Sequence, residues 1–243
     1  DLWAPDEPRY AEVAREMFEG GPWLVPHLGG EPYADKPPLY FWLLAGSYAV
    51  FGVNAFAVRI LPVLSATGTI LITWFLGRKL FGRRAGIFGA VVLGTSVLFM
   101  QLARRGNIDS TLTLITTGAL ALMFLAHAES RRRLWLPAYV LMALGVLAKG
   151  PVGVLLPLLV FLVYLIVAGQ AKVLWRMRLG PGLAVLVVIV AAWVVPAALS
   201  GGPEYARTIL LKQNIGRAVA SFSHEKPVHY YLQNFPWCFV PWV

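Results

Sequence analysis

Long apolar blocks, interrupted at intervals by short polar connections, are the dominant pattern along this chain. Crossing a bilayer takes about 20 apolar residues. Six stretches reach or approach that length, at 57–77, 85–103, 110–127, 134–149, 151–169 and 180–200. The fourth is short and could span only with help from its flanks. A seventh apolar segment, 39–51, follows Pro37-Pro38 and ends at Gly52. Its length predicts an interfacial or re-entrant helix rather than a span. Ahead of it, Tyr10, Val13, Ala14, Met17 and Phe18 recur at helical spacing, with Arg9, Glu12, Arg15, Glu16 and Glu19 elsewhere on the wheel. Asp6 and Glu7 suit the N-terminus of that helix, Pro8 its first turn, and Gly20-Gly21 its stop. The expectation is a helix lying on a membrane surface.

The pattern divides the chain into four regions. Residues 1–56 form a first extracytoplasmic loop with interfacial helices, and 57–200 a six-helix transmembrane region. Residues 201–236 form a second large extracytoplasmic loop, and 237–243 the start of a further transmembrane helix. The fold class is therefore an all-α polytopic membrane protein. The chain begins at Asp1 and ends in Pro-Trp-Val, and it is expected to be a piece of a longer protein with membrane helices at both ends.

Composition agrees with that class. Hydrophobic residues make up 58% of the chain and charged residues 14%, against about 25% charged in soluble domains. Charge placement fixes an orientation. With 1–56 outside, the inside loops 78–84, 128–133 and 170–179 hold ten basic residues and one acid, Glu129. They carry +9, the net charge of the whole chain, as the positive-inside rule requires. A full span at 39–51 would reverse the sides. The basic balance thus points to membrane lipid and not to nucleic acid. Cys238 is the single cysteine, which excludes an internal disulfide.

The outside charges need a different explanation. Asp6, Glu7, Arg9, Asp35, Lys36, Arg104, Arg105, Asp109 and Lys149 sit singly or in pairs at the ends of apolar segments. At such depth an ionisable group needs water, a partner or a substrate. Arg9, Lys36, Arg104, Arg105 and Lys149 can hold phosphate oxygens. Asp6 and Asp109 can orient or deprotonate an acceptor. Asp35 and His224 suit a divalent ion. Plainer roles compete: Asp6 as a helix cap, Glu7 as a dipole partner, Lys36 and Lys149 as snorkelling side chains, and Arg104 and Arg105 as flanking charges. No Walker loop, GxGxxG, GxSxG or HExxH motif is present, so no nucleotide cofactor is expected.

Asp6-Glu7-Pro8-Arg9-Tyr10-Ala11-Glu12, Gly21 to Pro26, and Tyr33 to Tyr40 carry a family resemblance. So do Arg59 to Pro62, Arg104 to Asp109, Ala148 to Pro151, and His224 to Pro227 with Tyr230-Tyr231. Together they resemble GT-C glycosyltransferases of the protein O-mannosyltransferase superfamily, in particular the branch that transfers 4-amino-4-deoxy-L-arabinose to lipid A. The resemblance implies a GT-C helix bundle in the plasma (inner) membrane, with its active site on the extracytoplasmic face. The implied partners are a polyprenyl-phosphate-linked sugar, a lipid or protein acceptor, and membrane lipids, with inversion at the sugar. It also implies catalytic roles for Asp6 and Asp109, and carrier-phosphate contacts from Arg9, Tyr10 and Lys36, to which the reading of the residues adds Arg104 and Lys149. Asp35 and His224 match a metal pair in which the branch usually has Glu at the first position. A protein O-mannosyltransferase is the alternative enzyme, and a polyprenyl-lipid flippase or transporter the alternative of another class.

Overall fold

Helices account for almost every apolar block. The computed structural model describes residues 2–209 and 228–243. Its first helix, α1 (Asp6–Phe18), starts and stops where the amphipathic pattern places it, and buries Tyr10, Val13, Ala14 and Met17. Phe18 remains exposed. A two-residue hairpin follows, β1 (His27–Leu28) against β2 (Glu31–Pro32). Its turn is Gly29-Gly30, both at positive φ, a conformation that glycine enters without steric cost. The Glu16 carboxylate accepts both turn N–H groups, at 2.6 and 3.2 Å.

Helix α2 (Leu39–Phe51) has the bounds read from the sequence. Tyr48 donates its hydroxyl to the Ala11 carbonyl of α1 at 3.1 Å. Ser47 donates to the Ala57 carbonyl at 2.7 Å. The indoles of Trp42 and Trp193 donate to the Trp23 and Leu24 carbonyls. These bonds fasten the first loop to the bundle.

The bundle contains α3 (Ala55–Phe81), α4 (Arg83–Thr95), α5 (Val97–Ala103), α6 (Ile108–Ala128), α7 (Trp135–Lys149), α8 (Val152–Val167) and α9 (Leu179–Arg207). Three of these, α3, α6 and α9, are long and apolar enough to cross a bilayer, and α4 with α5 would make a fourth as one bent span. The protein is a multi-pass membrane protein. The expected stretch 85–103 is broken by 67° at Ser96, whose backbone is extended. The break exposes donors at the start of α5, and one of them, Val97 N–H, is taken by the Val240 carbonyl at 3.0 Å.

The helices run past two of the regional boundaries. Residues 201–207 are helical and end α9, because Gly202 (φ 79) kinks the chain and Pro203 suits a new first turn. Residues 237–243 do not begin a helix. Helix α10 (Val228–Cys238) ends there and the chain turns. Pro241 cannot continue a helix, and it biases the residue before it away from helical geometry.

At Gly145 and Gly153, α7 and α8 touch backbone to backbone. A Cβ on Gly153 would lie 2.1 Å from the Gly145 carbonyl carbon. Gly153→Ala is expected to push the helices apart and cost about 1–3 kcal/mol. Thermal unfolding in detergent measures this, and an unchanged midpoint would contradict the contact.

Candidate active site

One core cluster draws one set of helix ends together. It contains Tyr10 of α1, Tyr33 of the first loop, Tyr40 and Phe41 of α2, Ala57 and Val58 of α3, Ile108 of α6 and Ala148 of α7. Tyr10 meets Tyr40 and Phe41 edge to face, each with centroids 5.9 Å apart, and Tyr33 meets Phe41 likewise. Asp109 follows Ile108, and Lys149 follows Ala148. Packing of apolar neighbours therefore positions polar side chains that are far apart in sequence.

Asp6 is the first residue of α1, but Pro5 holds the N-cap position and no side chain caps the helix. The Asp6 carboxylate is 55% exposed, with Arg9 at 3.7 Å. Asp6 and Asp109 both act electrostatically on the Tyr10 hydroxyl. Burial pushes the Tyr10 phenol well above its ordinary range; Asp6, Tyr33 and Asp109 reinforce this, and Arg9 opposes it. Tyr10 is therefore a donor at neutral pH.

Arg9 lies beside the Tyr33 hydroxyl, short of strict hydrogen-bond geometry. The buried hydroxyls of Tyr33 and Tyr40 thus have unused hydrogen-bonding capacity, an arrangement that a bound polar group would relieve. Lys149 is ion-paired with Asp109, so this cation already has a carboxylate partner. Lys36 is half-buried in the bend leading to α2. Arg104 is exposed at the end of α5. Arg105 lies over the Trp3 ring at 4.8 Å.

Asp35 acts on Tyr33 and lines a cavity of about 520 Å³ with Glu31, Glu204, Tyr205 and Thr208. Among the described residues no three His, Cys, Asp or Glu side chains are grouped to hold a metal ion. His224 lies outside the described residues.

Glu7 is the site residue whose role the sequence hid. Only 2% of its side chain is exposed. Arg59 donates Nε to Oε1 at 2.9 Å and Nη2 to Oε2 at 3.0 Å. The backbone N–H groups of Trp3 and Gly106 add bonds of 2.6 and 2.9 Å. Burial alone would raise the carboxyl pKa, but Arg59 and the two N–H groups outweigh it and hold it below the ordinary range. A Cβ on Gly106 would lie 2.4 Å from Val58 and 3.0 Å from Glu7. Glycine therefore lets the Arg104–Asn107 turn approach α1. Asn107 caps α6 by accepting from Ser110 N–H at 3.2 Å, which sets Asp109 in the first turn.

Residues 35–196 match the family model for dolichyl-phosphate-mannose-protein mannosyltransferase. An undecaprenyl phosphate-alpha-4-amino-4-deoxy-L-arabinose arabinosyl transferase of Pseudomonas savastanoi pv. phaseolicola is 34% identical over 95% of this chain and 44% of its own length. A transferase of the same name from Edwardsiella ictaluri is 32% identical over 100% of this chain and 45% of its own. Crystal structures of ArnT from Cupriavidus metallidurans superpose with TM-scores of 0.91, bound to undecaprenyl phosphate, and 0.89 in the apo state. Identity is 29% and 28%, over 99% of this chain and 45% and 44% of those chains. The chain thus spans less than half the length of the relatives it matches.

Proposed function

The chain belongs to the dolichyl-phosphate-mannose-protein mannosyltransferase family, and from that premise we propose that it forms part of a membrane glycosyltransferase using an undecaprenyl-phosphate-linked sugar. The names of the relatives support the carrier-linked sugar donor, and the acceptor in this proposal is an extracytoplasmic lipid, lipid A, as the motif resemblance implies. The observation that carries the proposal is the packing of Tyr10, Tyr33 and Ile108 in one cluster, which puts Asp6, with Arg9 at 3.7 Å, and Asp109 both within electrostatic reach of the Tyr10 hydroxyl, beside the unsatisfied Tyr33 hydroxyl. The location proposed is the inner membrane with the site on the periplasmic side, supported by the cluster of positive charge at the other end.

In transfer, the acceptor oxygen attacks the anomeric carbon and the bond to the carrier phosphate breaks. The carrier leaves as a phosphate anion. Arg9 and Lys36 stabilise that developing charge, and the Tyr33 hydroxyl can donate to it. Tyr10 donates as well, since its environment keeps it protonated. Asp6 orients the acceptor, or removes its proton where the acceptor is a hydroxyl. Lys149 holds Asp109 in place. A divalent ion at Asp35 belongs to the proposal only with a ligand such as His224, because the described residues do not complete a site. Such an ion would screen phosphate charge.

The test is transfer by the purified full-length protein, given labelled undecaprenyl-phosphate sugar with lipid A or a hydroxyl peptide. Lys36→Ala is expected to lower kcat/KM for the donor by roughly 10–100-fold, the worth of one charge-assisted phosphate contact. Movement of intact carrier across the membrane without sugar release would replace the enzyme reading with a flippase.

A further inference from the structure

The cationic end of the bundle contains a second polar cavity. Asp109 and His127 stand near opposite ends of α6, and 18 steps at 1.5 Å rise place them about 27 Å apart along the helix. Beside His127 is a cavity of about 200 Å³ lined by Ser130, Arg132, Trp135, Val173 and Arg176. That is several times the roughly 30 Å³ share of one water molecule. Its lining holds two guanidiniums, an imidazole and a hydroxyl, with no carboxylate.

Electrostatics would normally bring an acid to such a place. Glu129 is adjacent in sequence, yet its oxygens are engaged by Lys79 and Arg131. Among the described residues the guanidiniums of Arg132 and Arg176 make neither a hydrogen bond nor an ion pair. The chain turns at Ser130, which has φ 53, so that Arg132 returns over the cavity. Trp135 forms an apolar floor, buried against Phe161 at 5.7 Å. Two converging arginines above an apolar floor complement a phosphate group.

We propose that this cavity binds the phosphate of an anionic phospholipid in the leaflet facing the basic loops. A lipid is favoured over free phosphate because an apolar strip starts at the cavity. The His127 ring contacts Tyr164 of α8, with centroids 6.0 Å apart. From there Val160, Val163 and Val167 of the same helix are exposed, a surface for acyl chains. The proposal does not depend on the transfer reaction.

The experiment measures thermal unfolding of the full-length protein in neutral detergent during titration with phosphatidylglycerol, phosphatidylcholine or inorganic phosphate. Phosphatidylglycerol is expected to stabilise and phosphatidylcholine to do so far less. Arg132→Gln with Arg176→Gln should weaken the phosphatidylglycerol effect about tenfold or more, as loss of charge-assisted contacts predicts. Arg83→Gln with Arg84→Gln removes equal charge from the first turn of α4 and should leave the effect within a factor of about two. Should the double glutamine variant fail to fold, Arg132→Lys with Arg176→Lys keeps the charge but loses the fork, and should bind with intermediate strength. Unchanged binding in the cavity variants overturns the proposal, as does an equal loss in the Arg83/Arg84 control. If millimolar phosphate alone gives the full shift and the lipid adds nothing, the ligand is a soluble anion and the lipid assignment falls.

Discussion

Glu7→Ala is expected to destabilise the protein by about 3 kcal/mol, the lower end of the 3–5 kcal/mol range for breaking a buried ion pair. The change leaves the N–H groups of Trp3 and Gly106 without acceptors and removes the partner of Arg59. The lower end applies because the Arg59 side chain is 32% exposed, so water can solvate part of its charge. Unfolding by heat or denaturant in detergent measures the loss. Transfer should fall with it, since the Gly106 turn leads directly into Asn107 and Asp109. The pH dependence has a definite sign. The folded carboxyl lies below its ordinary value of 4.5, so the unfolded state binds more protons between the two values. The stabilisation is complete above about pH 4.5 and disappears as pH falls through the lower folded value. The stability gap between wild type and Glu7→Gln should therefore be constant at neutral pH and narrow in acid. A gap equally wide at pH 3 and pH 7 would show that Glu7 does not act through its charge.

That network illustrates what a one-dimensional reading loses. Helix α1 was legible because its signals are local: a 3.6-residue apolar stripe, acids at one end and a glycine pair at the other. The segment 39–51 was legible because Pro37-Pro38 and Gly52 bracket it. Glu7 has the same local signature as a carboxylate favouring a helix dipole, and nothing nearby distinguishes the two. Apart from Trp3, its partners are 52 and 99 residues away, and only the fold brings them within reach. Asp109 and Lys149 were each recognisable as polar residues that needed a reason. Their pairing across 40 residues was not, and it makes Lys149 a partner of a carboxylate rather than a lone phosphate ligand. The bend at Ser96 was hidden for another reason. Apolar composition runs straight through 85–103, while the break appears only in the extended backbone at Ser96 and in the bond that Val97 makes with Val240 far along the chain. The charge asymmetry, in contrast, is legible in full from the sequence, because it depends on loop composition and on no contact at all.

Asp6→Asn is expected to reduce kcat/KM for transfer to a hydroxyl acceptor by about 10²–10⁴, the usual contribution of a positioned base. The variant should fold normally. The Asp6 side chain is 55% exposed and its contact with Arg9 is a loose 3.7 Å. No side chain caps α1, so the helix loses no cap, and the stability change should stay within about 0.5 kcal/mol, as for an ordinary surface position. Activity and stability thus separate at Asp6, whereas at Glu7 they fall together. The acceptor decides how large the loss is. A lipid phosphate is already anionic and needs no deprotonation, so Asp6 would then orient groups, a role that asparagine can partly fill. The same variant assayed with a phosphate acceptor should therefore lose less than with a hydroxyl acceptor. Equal losses on both would assign Asp6 to the donor side, next to Arg9. Full activity on both would remove Asp6 from the site and leave Asp109, alone beside Tyr10, as the remaining carboxylate.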